Sequence, residues 1–203
     1  MKRLIRITMG LLVIGLTAFG CANQPFGQAE QGWTTLFDGS TNLNNWTRLG
    51  DANWRIQDGV IQADLLGGKD TYSYLVSKQV YGDFQIRAEF WVDSETNSGI
   101  FIRCEDPKNV GSKTAYEVNI WDTRPDPTYG TGAIVGLAKV VPMPKAGGQW
   151  NTYEITAKGP QLTIVLNGVK TADVRDTQHA RGHIALQYGS GIVKFRKVQI
   201  RQL

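Results

Sequence analysis

Two segments of this sequence place acidic, amide, basic and aromatic side chains at alternate positions. In residues 116–121 the polar positions hold Glu117, Asn119 and Trp121, and in residues 84–92 the corresponding positions hold Arg87, Glu89 and Trp91. Successive side chains of a β-strand point to opposite faces, so each segment predicts a strand with one apolar and one polar face. Two carboxylates that share a polar face are suited to general acid and general base catalysis.

Further polar residues at strand positions complete the set of candidates. We expect Glu117, Glu89 and Arg103 to be catalytic, and the expected substrate contacts are Asn119, Gln187, Trp121, Trp91 and Arg87. The alternative interpretation is a solvated face with salt bridges and edge tryptophans, which is common on antiparallel sheets.

Short alternating strands must position these residues. A period of two dominates from Trp33 onward, and Asp58-Gly59 and Asn167-Gly168 are favoured hairpin dipeptides. The alternation changes parity near residues 195–198, which predicts a β-bulge. No amphipathic helix or repeat is evident, so the fold class is all-β, an antiparallel sandwich or jelly roll. Irregular stretches at 122–132 and 142–148 are expected to border a binding site.

An ordered series of motifs covers most of the chain from Trp33 to Leu203. It includes GWTTLFDG at 32–39, NSGIFIR at 97–103, YEVNI at 116–120, GQWNTY at 148–153 and GHIALQ at 182–187. This series resembles the 3-keto-disaccharide hydrolase domain family. The sequence departs from the family pattern at Asn119, where Gln is frequent, and at 188–190, where His often follows the Leu-Gln pair.

The resemblance implies a concanavalin A-like jelly roll that binds sugar on the concave face of a curved sheet. A ketone at C3 of a sugar acidifies the hydrogen on C2, so Glu117 or Glu89 could remove that proton while an acid assists departure of the oxygen on C1. Arg103 would stabilise the enolate, since a fixed positive charge acts strongly where negative charge develops. The amides of Asn119 and Gln187 would orient hydroxyls or the carbonyl.

The N-terminus has the plan of a targeting signal. Basic residues precede an apolar run, which predicts a signal peptide over 1–20, a lipidated tether over 21–31 and one β-sandwich domain over 32–203. Cys21 after Gly20 resembles a lipidation site, although Phe19 and Ala18 fit that pattern imperfectly, and an ordinary signal peptide is the alternative. We therefore expect an exported cell-envelope protein, anchored by lipid to the outer membrane and facing the periplasm or the surface.

Composition and motifs argue against several other functions. The net charge of +4 comes mostly from three N-terminal cations, so no concentrated basic face for nucleic acid is expected. No phosphate-binding glycine loop and no Gly-x-Ser-x-Gly elbow occur. Cys104 is expected to be a small buried apolar residue. No cofactor and no metal site is predicted, although sandwiches of this type can hold a structural Ca²⁺, and the sequence leaves the oligomeric state open.

Three functions remain at this point. The first is a hydrolase acting on glycosides, in particular 3-keto-disaccharides or 3-keto-glucosides. The second is a non-catalytic carbohydrate-binding module at the cell surface, which would use the same face without a carboxylate pair. The third is a structural envelope lipoprotein, whose sheet face should be filled by side chains and should lack a cavity.

Overall fold

The structure is a computed structural model that describes residues 32–65 and 72–203. The predicted signal peptide, the lipidated Cys21 and the tether lie outside the described residues. No helix within the described ranges is long and apolar enough to cross a membrane.

Thirteen strands and two short 3₁₀ helices, Leu43–Asn45 and Pro127–Tyr129, form the described part of the chain. The strands are β1 Thr34–Phe37, β2 Trp46–Leu49, β3 Arg55–Gln57, β4 Val60–Ala63, β5 Ser73–Ser77, β6 Phe84–Val92, β7 Asn97–Cys104, β8 Tyr116–Trp121, β9 Trp150–Lys158, β10 Gln161–Leu166, β11 Val169–Arg175, β12 His183–Ser190 and β13 Val193–Gln202.

Two antiparallel sheets divide these strands. The eight-stranded sheet has the order β11-β10-β9-β6-β13-β4-β3, and β1 also pairs with β13. The five-stranded sheet has the order β2-β5-β12-β7-β8. The all-β jelly-roll sandwich expected from the sequence is therefore confirmed.

The hydrophobic core lies between the two sheets and is built by the alternation that the sequence shows. From the eight-stranded sheet, β6 contributes Phe84, Ile86, Ala88 and Phe90 to this core. From the five-stranded sheet, β8 contributes Tyr116, Val118 and Ile120. The alternate side chains of each strand consequently lie on the outer face of its sheet, away from the other sheet.

Two hairpin turns and one β-bulge lie where the sequence predicts them. Asp58 and Gly59 join β3 to β4, and Asn167 and Gly168 join β10 to β11, with positive φ angles at all four residues. These are the angles that a type I′ hairpin turn requires. The pairing of β13 with β6 shifts register between Phe195 and Lys197, which confirms the predicted bulge.

Four tryptophans, Trp33, Trp46, Trp54 and Trp150, occupy motif positions at which we expect packing within the sandwich. Trp46 and Trp54 confirm this, since both are buried in the core between the sheets. Trp33 is also buried, but it lies on the outer face of the eight-stranded sheet, where its ring lies against two guanidinium groups. The same expectation for Trp150 is wrong, because this residue begins β9 on the outer face of the eight-stranded sheet with 37% of its surface exposed. The Arg196 guanidinium lies 4.3 Å from its ring centroid.

Candidate functional site

The outer face of the five-stranded sheet carries the polar candidates of β8. Strand pairing aligns four residues in one row, in the order Tyr74, Gln187, Gly99 and Asn119, across β5, β12, β7 and β8. In the neighbouring row, Glu117 is paired with Phe101. A short polar patch thus forms on this face because the side chains of four strands are in register.

A cavity of about 300 Å³ opens on this outer face. We call it the Glu117 cavity. Its walls come from four strands and from the segments that follow β7 and β8. The lining residues are Tyr72, Tyr74, Asn97, Phe101, Val110, Gly111, Ser112, Glu117, Trp121, Arg124, Val135 and Gln187. A volume of this size is at the lower end of the range for small-ligand sites.

Gly99 keeps a gap open beside Glu117 in the sheet. A Cβ atom at this residue would lie 3.4 Å from Gln187 Oε1 and 3.5 Å from Glu117 Cγ. The side chains of Gln187 and Glu117 therefore both border the same gap. The same Cβ atom at Gly99 would lie 3.2 Å from the carbonyl oxygen of Val118, which is a tight contact. Even a methyl group would therefore crowd the sheet at this point.

The Glu117 carboxyl group is adapted to proton transfer. Burial in the cavity wall disfavours its charged form and raises its pKa to about 7, although the nearby Arg124 charge opposes this effect. No hydrogen bond or ion pair to this carboxyl group is found among the described residues. A carboxyl group with a pKa near neutrality can accept and return a proton at physiological pH.

Two polar groups in the cavity wall lack partners within the described ranges. Gln187 Oε1 is buried and accepts no hydrogen bond, and Arg124 Nε is buried and donates none. The Arg124 guanidinium lies 5.2 Å from the ring centroid of Trp121, within cation–π range. Buried polar atoms are normally hydrogen-bonded, so these two atoms mark positions in the cavity wall where the described residues leave hydrogen-bonding capacity unsatisfied.

Tyr74 forms the wall opposite β8. Its ring packs edge-on against Phe101, with 5.6 Å between ring centroids. Burial raises the pKa of Tyr74 to about 12, an effect that the Gln187 amide opposes and the Glu117 charge reinforces. Tyr74 therefore stays a neutral phenol at physiological pH and can donate a hydrogen bond to a ligand.

Asn119 anchors the loop beside the cavity and does not line it. The side chain is fully buried, and Nδ2 donates to the Tyr129 carbonyl oxygen at 2.7 Å. The backbone carbonyl oxygen of Asn119 accepts from Gly132 N and from the Tyr153 hydroxyl, whereas the side-chain Oδ1 has no partner among the described residues. Asn119 shares the outer face with Glu117, as expected, but its contacts are with the protein.

Asp122 holds the same loop from its other end. One carboxylate oxygen accepts from the Thr131 hydroxyl, and the carboxylate also accepts from the backbone N–H groups of Ala146 and Gly147. The two irregular stretches that the sequence predicts near a site are therefore tied together next to β8. This bonding holds Arg124, which lies within the first stretch, at the cavity.

Glu89 does not share a face with Glu117, so that expectation is wrong. Glu89 lies on β6 in the eight-stranded sheet, whereas Glu117 lies on β8 in the five-stranded sheet. Both strands alternate in the same way, but the two polar faces point away from each other across the core. Glu89 instead accepts from Arg196 Nε at 2.5 Å.

Arg87 and Trp91 lie on the same outer face as Glu89 and not at the Glu117 cavity. Arg87 lies 3.7 Å from Glu154 and 4.6 Å from the Trp33 ring centroid. Lys194 lies 4.8 Å from the Trp91 ring centroid. Two of the expected substrate contacts are therefore separated from Glu117 by the whole sandwich.

Arg103 is also displaced from the predicted face, and a β-bulge is the reason. The register of β7 with β12 shifts between the Phe101 and Cys104 pairs, and Arg103 has a φ of +53°. Its buried guanidinium donates to the carbonyl oxygens of Gly82, Gly159 and His179 and to the Asp83 carboxylate. Arg103 thus holds loops together at one end of the sandwich.

The structure therefore brings Glu117, Gln187 and Trp121 together at one cavity, as the sequence predicts, and adds Arg124, Tyr72, Tyr74, Asn97 and Ser112. The position of Arg124 in the long irregular stretch was the one available signal for it. The sequence around Tyr74 contains no signal that it lines a site, because every residue of β5 is buried and the strand shows no polar alternation.

Within residues 32–65 and 72–203, no group of three or more His, Cys, Asp or Glu side chains could hold a metal ion. Cys104 is free and buried in a second apolar cluster with Tyr74, Phe101 and Ala185.

Solved structures with the same fold include several carbohydrate-active proteins. One from Parabacteroides distasonis, described as a proposed glycosyl hydrolase, has a TM-score of 0.72 and 21% identity, over 85% of this chain and 94% of its own. A second from the same organism, with the same description, has a TM-score of 0.66 and 27% identity, over 84% and 99%.

A carbohydrate-binding module of Bacillus subtilis has a TM-score of 0.55 and 17% identity, over 88% of this chain and all of its own. No curated protein matches the chain. The sequence pattern that defines one domain family matches residues 32–201. The chain belongs to that family, the 3-keto-α-glucoside-1,2-lyase-like domains, which the motifs between Gly32 and Gln187 resemble.

Proposed function

We propose that this protein cleaves the glycosidic bond of 3-keto-glycosides, with Glu117 as the catalytic base. The observation that carries the proposal is a lone carboxyl group, with a pKa raised to about 7, beside Arg124 and Gln187 in one cavity. Membership of the family supports the substrate class. The name of the 27% identical structure supports action on glycosides.

The cavity wall favours elimination over a glycosidase mechanism with two carboxylates. Glycosidases of the usual kind place two carboxyl groups about 5–9.5 Å apart. Glu117 is the single carboxylate among the described residues that line the cavity, and Glu89 lies on the other sheet. A substrate ketone changes this requirement, because it makes C2–H acidic and lets one base start the reaction.

The reaction then proceeds in two steps. Glu117 takes the proton from C2, and the C–H electron pair forms an enolate whose negative charge lies on the oxygen of C3. Collapse of the enolate re-forms the ketone, makes a C1–C2 double bond and expels the oxygen on C1. Protonated Glu117 is the group at hand to return the proton to that leaving oxygen. Addition of water to C1 and C2 would convert the elimination into net hydrolysis.

Arg124 takes the role that the sequence suggested for Arg103. Arg124 lines the cavity, and its guanidinium supplies the positive charge that would stabilise a ketone oxygen as it becomes an enolate. Gln187 lines the same cavity, and its side-chain amide is suited to a sugar hydroxyl. Trp121 offers a ring face at the cavity edge for the sugar ring.

The test compares methyl 3-keto-glucoside with unoxidised methyl glucoside, using wild-type protein and Glu117→Gln. We expect cleavage of the keto compound alone and its loss in the variant. A removed catalytic base typically reduces the rate by a factor of about 10²–10⁴. Equal turnover by Glu117→Gln would refute the proposal.

Non-catalytic carbohydrate binding is the second candidate. It is favoured by the single carboxylate in the cavity and by the ring of Tyr72, 41% of whose surface is exposed. Binding of both methyl glycosides with cleavage of neither would support this alternative. A purely structural role fits the site poorly, because the sheet face carries an open cavity.

We further propose that the protein is exported and anchored to the outer membrane through lipid on Cys21. Trp33, which follows the expected tether, contacts Arg87 and Arg201 on the outer face of the eight-stranded sheet. The Glu117 cavity opens on the opposite side of the sandwich, so an anchor at the N-terminus would leave it accessible. Metabolic labelling with a fatty acid, compared between wild type and Cys21→Ser, tests the anchor.

A further inference from the structure

The outer face of the eight-stranded sheet carries tryptophans that the proposed reaction does not use. Pairing of β9 with β6 and of β6 with β13 sets Trp150, Trp91 and Lys194 in one row across this face. Trp33, just before β1, lies on the same face. None of these residues lines the Glu117 cavity, which opens on the other side of the sandwich.

A cation lies over each of the three indole rings. The Arg196 guanidinium lies 4.3 Å from the Trp150 ring centroid. Lys194 Nζ lies 4.8 Å from the Trp91 ring centroid. Two guanidinium groups lie against the Trp33 ring, those of Arg87 and Arg201. A guanidinium group on a ring is held in place and still presents N–H donors to an anion at its edge. Because the protein's own cations lie over these rings, the ring faces are less open to stacking by a sugar.

Positive charge exceeds negative charge on the three central strands of this face, β9, β6 and β13. Their two outward-facing carboxylates are both paired. Glu89 accepts from Arg196. Glu154 lies 3.7 Å from Arg87. The six outward-facing cations of the same strands are Arg87, Lys158, Lys194, Arg196, Lys197 and Arg201. The other four of these cations form no ion pair with a described residue, so their charge is not cancelled within the described part of the chain.

The rest of the domain does not share this excess. Three basic residues and Glu30 precede residue 32, so the 22 basic and 18 acidic residues of the chain become 19 and 17 in residues 32–203. That surplus of two is smaller than the surplus of four on the three central strands, so the remainder of the domain is net negative. The cations come from separate strands, and no basic segment of the sequence indicates them. Two such faces would repel each other, which disfavours a second copy of the chain as the partner.

We infer that this face binds the anionic headgroups of a membrane, which turns the Glu117 cavity away from the bilayer. The inference goes beyond the proposed reaction and uses the proposed lipid anchor only to bring a membrane near. Lipid on Cys21 would tether the domain through Trp33, which lies on this face. Tryptophan rings favour the headgroup region and cations are attracted to anionic lipid, so the face complements such a surface.

Vesicle sedimentation tests the inference with the chain from Ala22 to Leu203, which keeps both sheets and their core and carries no lipid. We expect binding to vesicles of equal parts phosphatidylglycerol and phosphatidylcholine, and much weaker binding to phosphatidylcholine alone. Each cation near an anionic membrane strengthens binding about fivefold. The double variant Lys194→Gln, Lys197→Gln should therefore lower the partition coefficient about 25-fold. Circular dichroism checks that the variant keeps the fold.

The matched control removes the same charge from the segment between β7 and β8, in the five-stranded sheet. Lys108→Gln, Lys113→Gln changes two exposed lysines there and should keep the partition coefficient within about twofold. None of the four lysines lines the Glu117 cavity, so cleavage of methyl 3-keto-glucoside by the same preparations tests the proposed reaction separately.

Three results would overturn the membrane-binding face. The first is equal binding to the two kinds of vesicle, or binding to neither. The second is an equal loss of binding in the double variant and in its matched control. The third is binding to dextran sulfate in preference to phosphatidylglycerol vesicles, because an acidic polysaccharide would then be the partner.

Discussion

Replacing Glu117 by glutamine removes a carboxyl group whose charge the cavity wall disfavours. Its pKa is about 7 in the folded protein, and its ordinary value is 4.5. One pKa unit corresponds to about 1.4 kcal/mol, so the charged form costs the folded state up to roughly 3 kcal/mol. Because the side chain is partly exposed and water screens its charge, we expect about 2 kcal/mol.

The sign of the effect follows from the direction of the pKa change. The folded state binds the proton more tightly than the unfolded chain does, so the full stability is present below about pH 4.5. Stability then falls as the pH rises through 7, and the loss is complete above that pH. Glutamine carries no charge at any of these values, so the variant should gain stability relative to wild type over this interval.

Urea unfolding of both proteins between pH 4.5 and 8.5 measures the difference. We expect nearly equal free energies of unfolding at pH 4.5 and an advantage of about 2 kcal/mol for Glu117→Gln at pH 8.5. Glu89→Gln removes a carboxylate from the outer face of the other sheet and breaks an exposed ion pair with Arg196, so it should change stability by less than about 1 kcal/mol. A difference between wild type and Glu117→Gln that does not vary with pH would refute the burial argument.

Three further outcomes follow from the placement of single residues. Arg103→Met should lower the free energy of unfolding, measured by urea titration, by about 3 kcal/mol, because Asp83 and three carbonyl oxygens lose their hydrogen-bond donor. A loss under about 1 kcal/mol would contradict this. Gly99→Ala should keep the fold, as judged by circular dichroism, but lower kcat/KM by roughly tenfold or more, since the added methyl group enters the gap beside Glu117. Unchanged kinetics would mean that the substrate does not approach Gly99. Glu89→Gln should retain kcat/KM within about twofold, and a large loss would return Glu89 to the active site.

The alternation of apolar residues was enough to predict the sandwich, because period two is a local property that each strand shows by itself. The hairpins at Asp58-Gly59 and Asn167-Gly168 were equally local, since the dipeptide supplies its own positive φ angles. Glu117 and Trp121 were placed on a common face for the same reason, since both lie on one strand, β8.

The assignment of strands to sheets could not be obtained in this way. Parity shows which side chains share a face within one strand, and β6 and β8 have the same parity pattern although they belong to different sheets. Glu89 was therefore grouped with Glu117 by a pattern that carries no information about long-range pairing. Arg103 was misplaced because the bulge beside it breaks the alternation.

Proton abstraction from C2 by Glu117 is the central step, and a substrate analogue without a leaving group isolates it. In D₂O, a 3-keto-1,5-anhydro sugar should exchange its C2 hydrogen for deuterium, which NMR follows directly. We expect wild-type protein to accelerate this exchange well above the rate without protein, and Glu117→Gln to leave it at that background rate. Cleavage of methyl 3-keto-glucoside by a wild-type protein that does not accelerate C2 exchange would contradict the account.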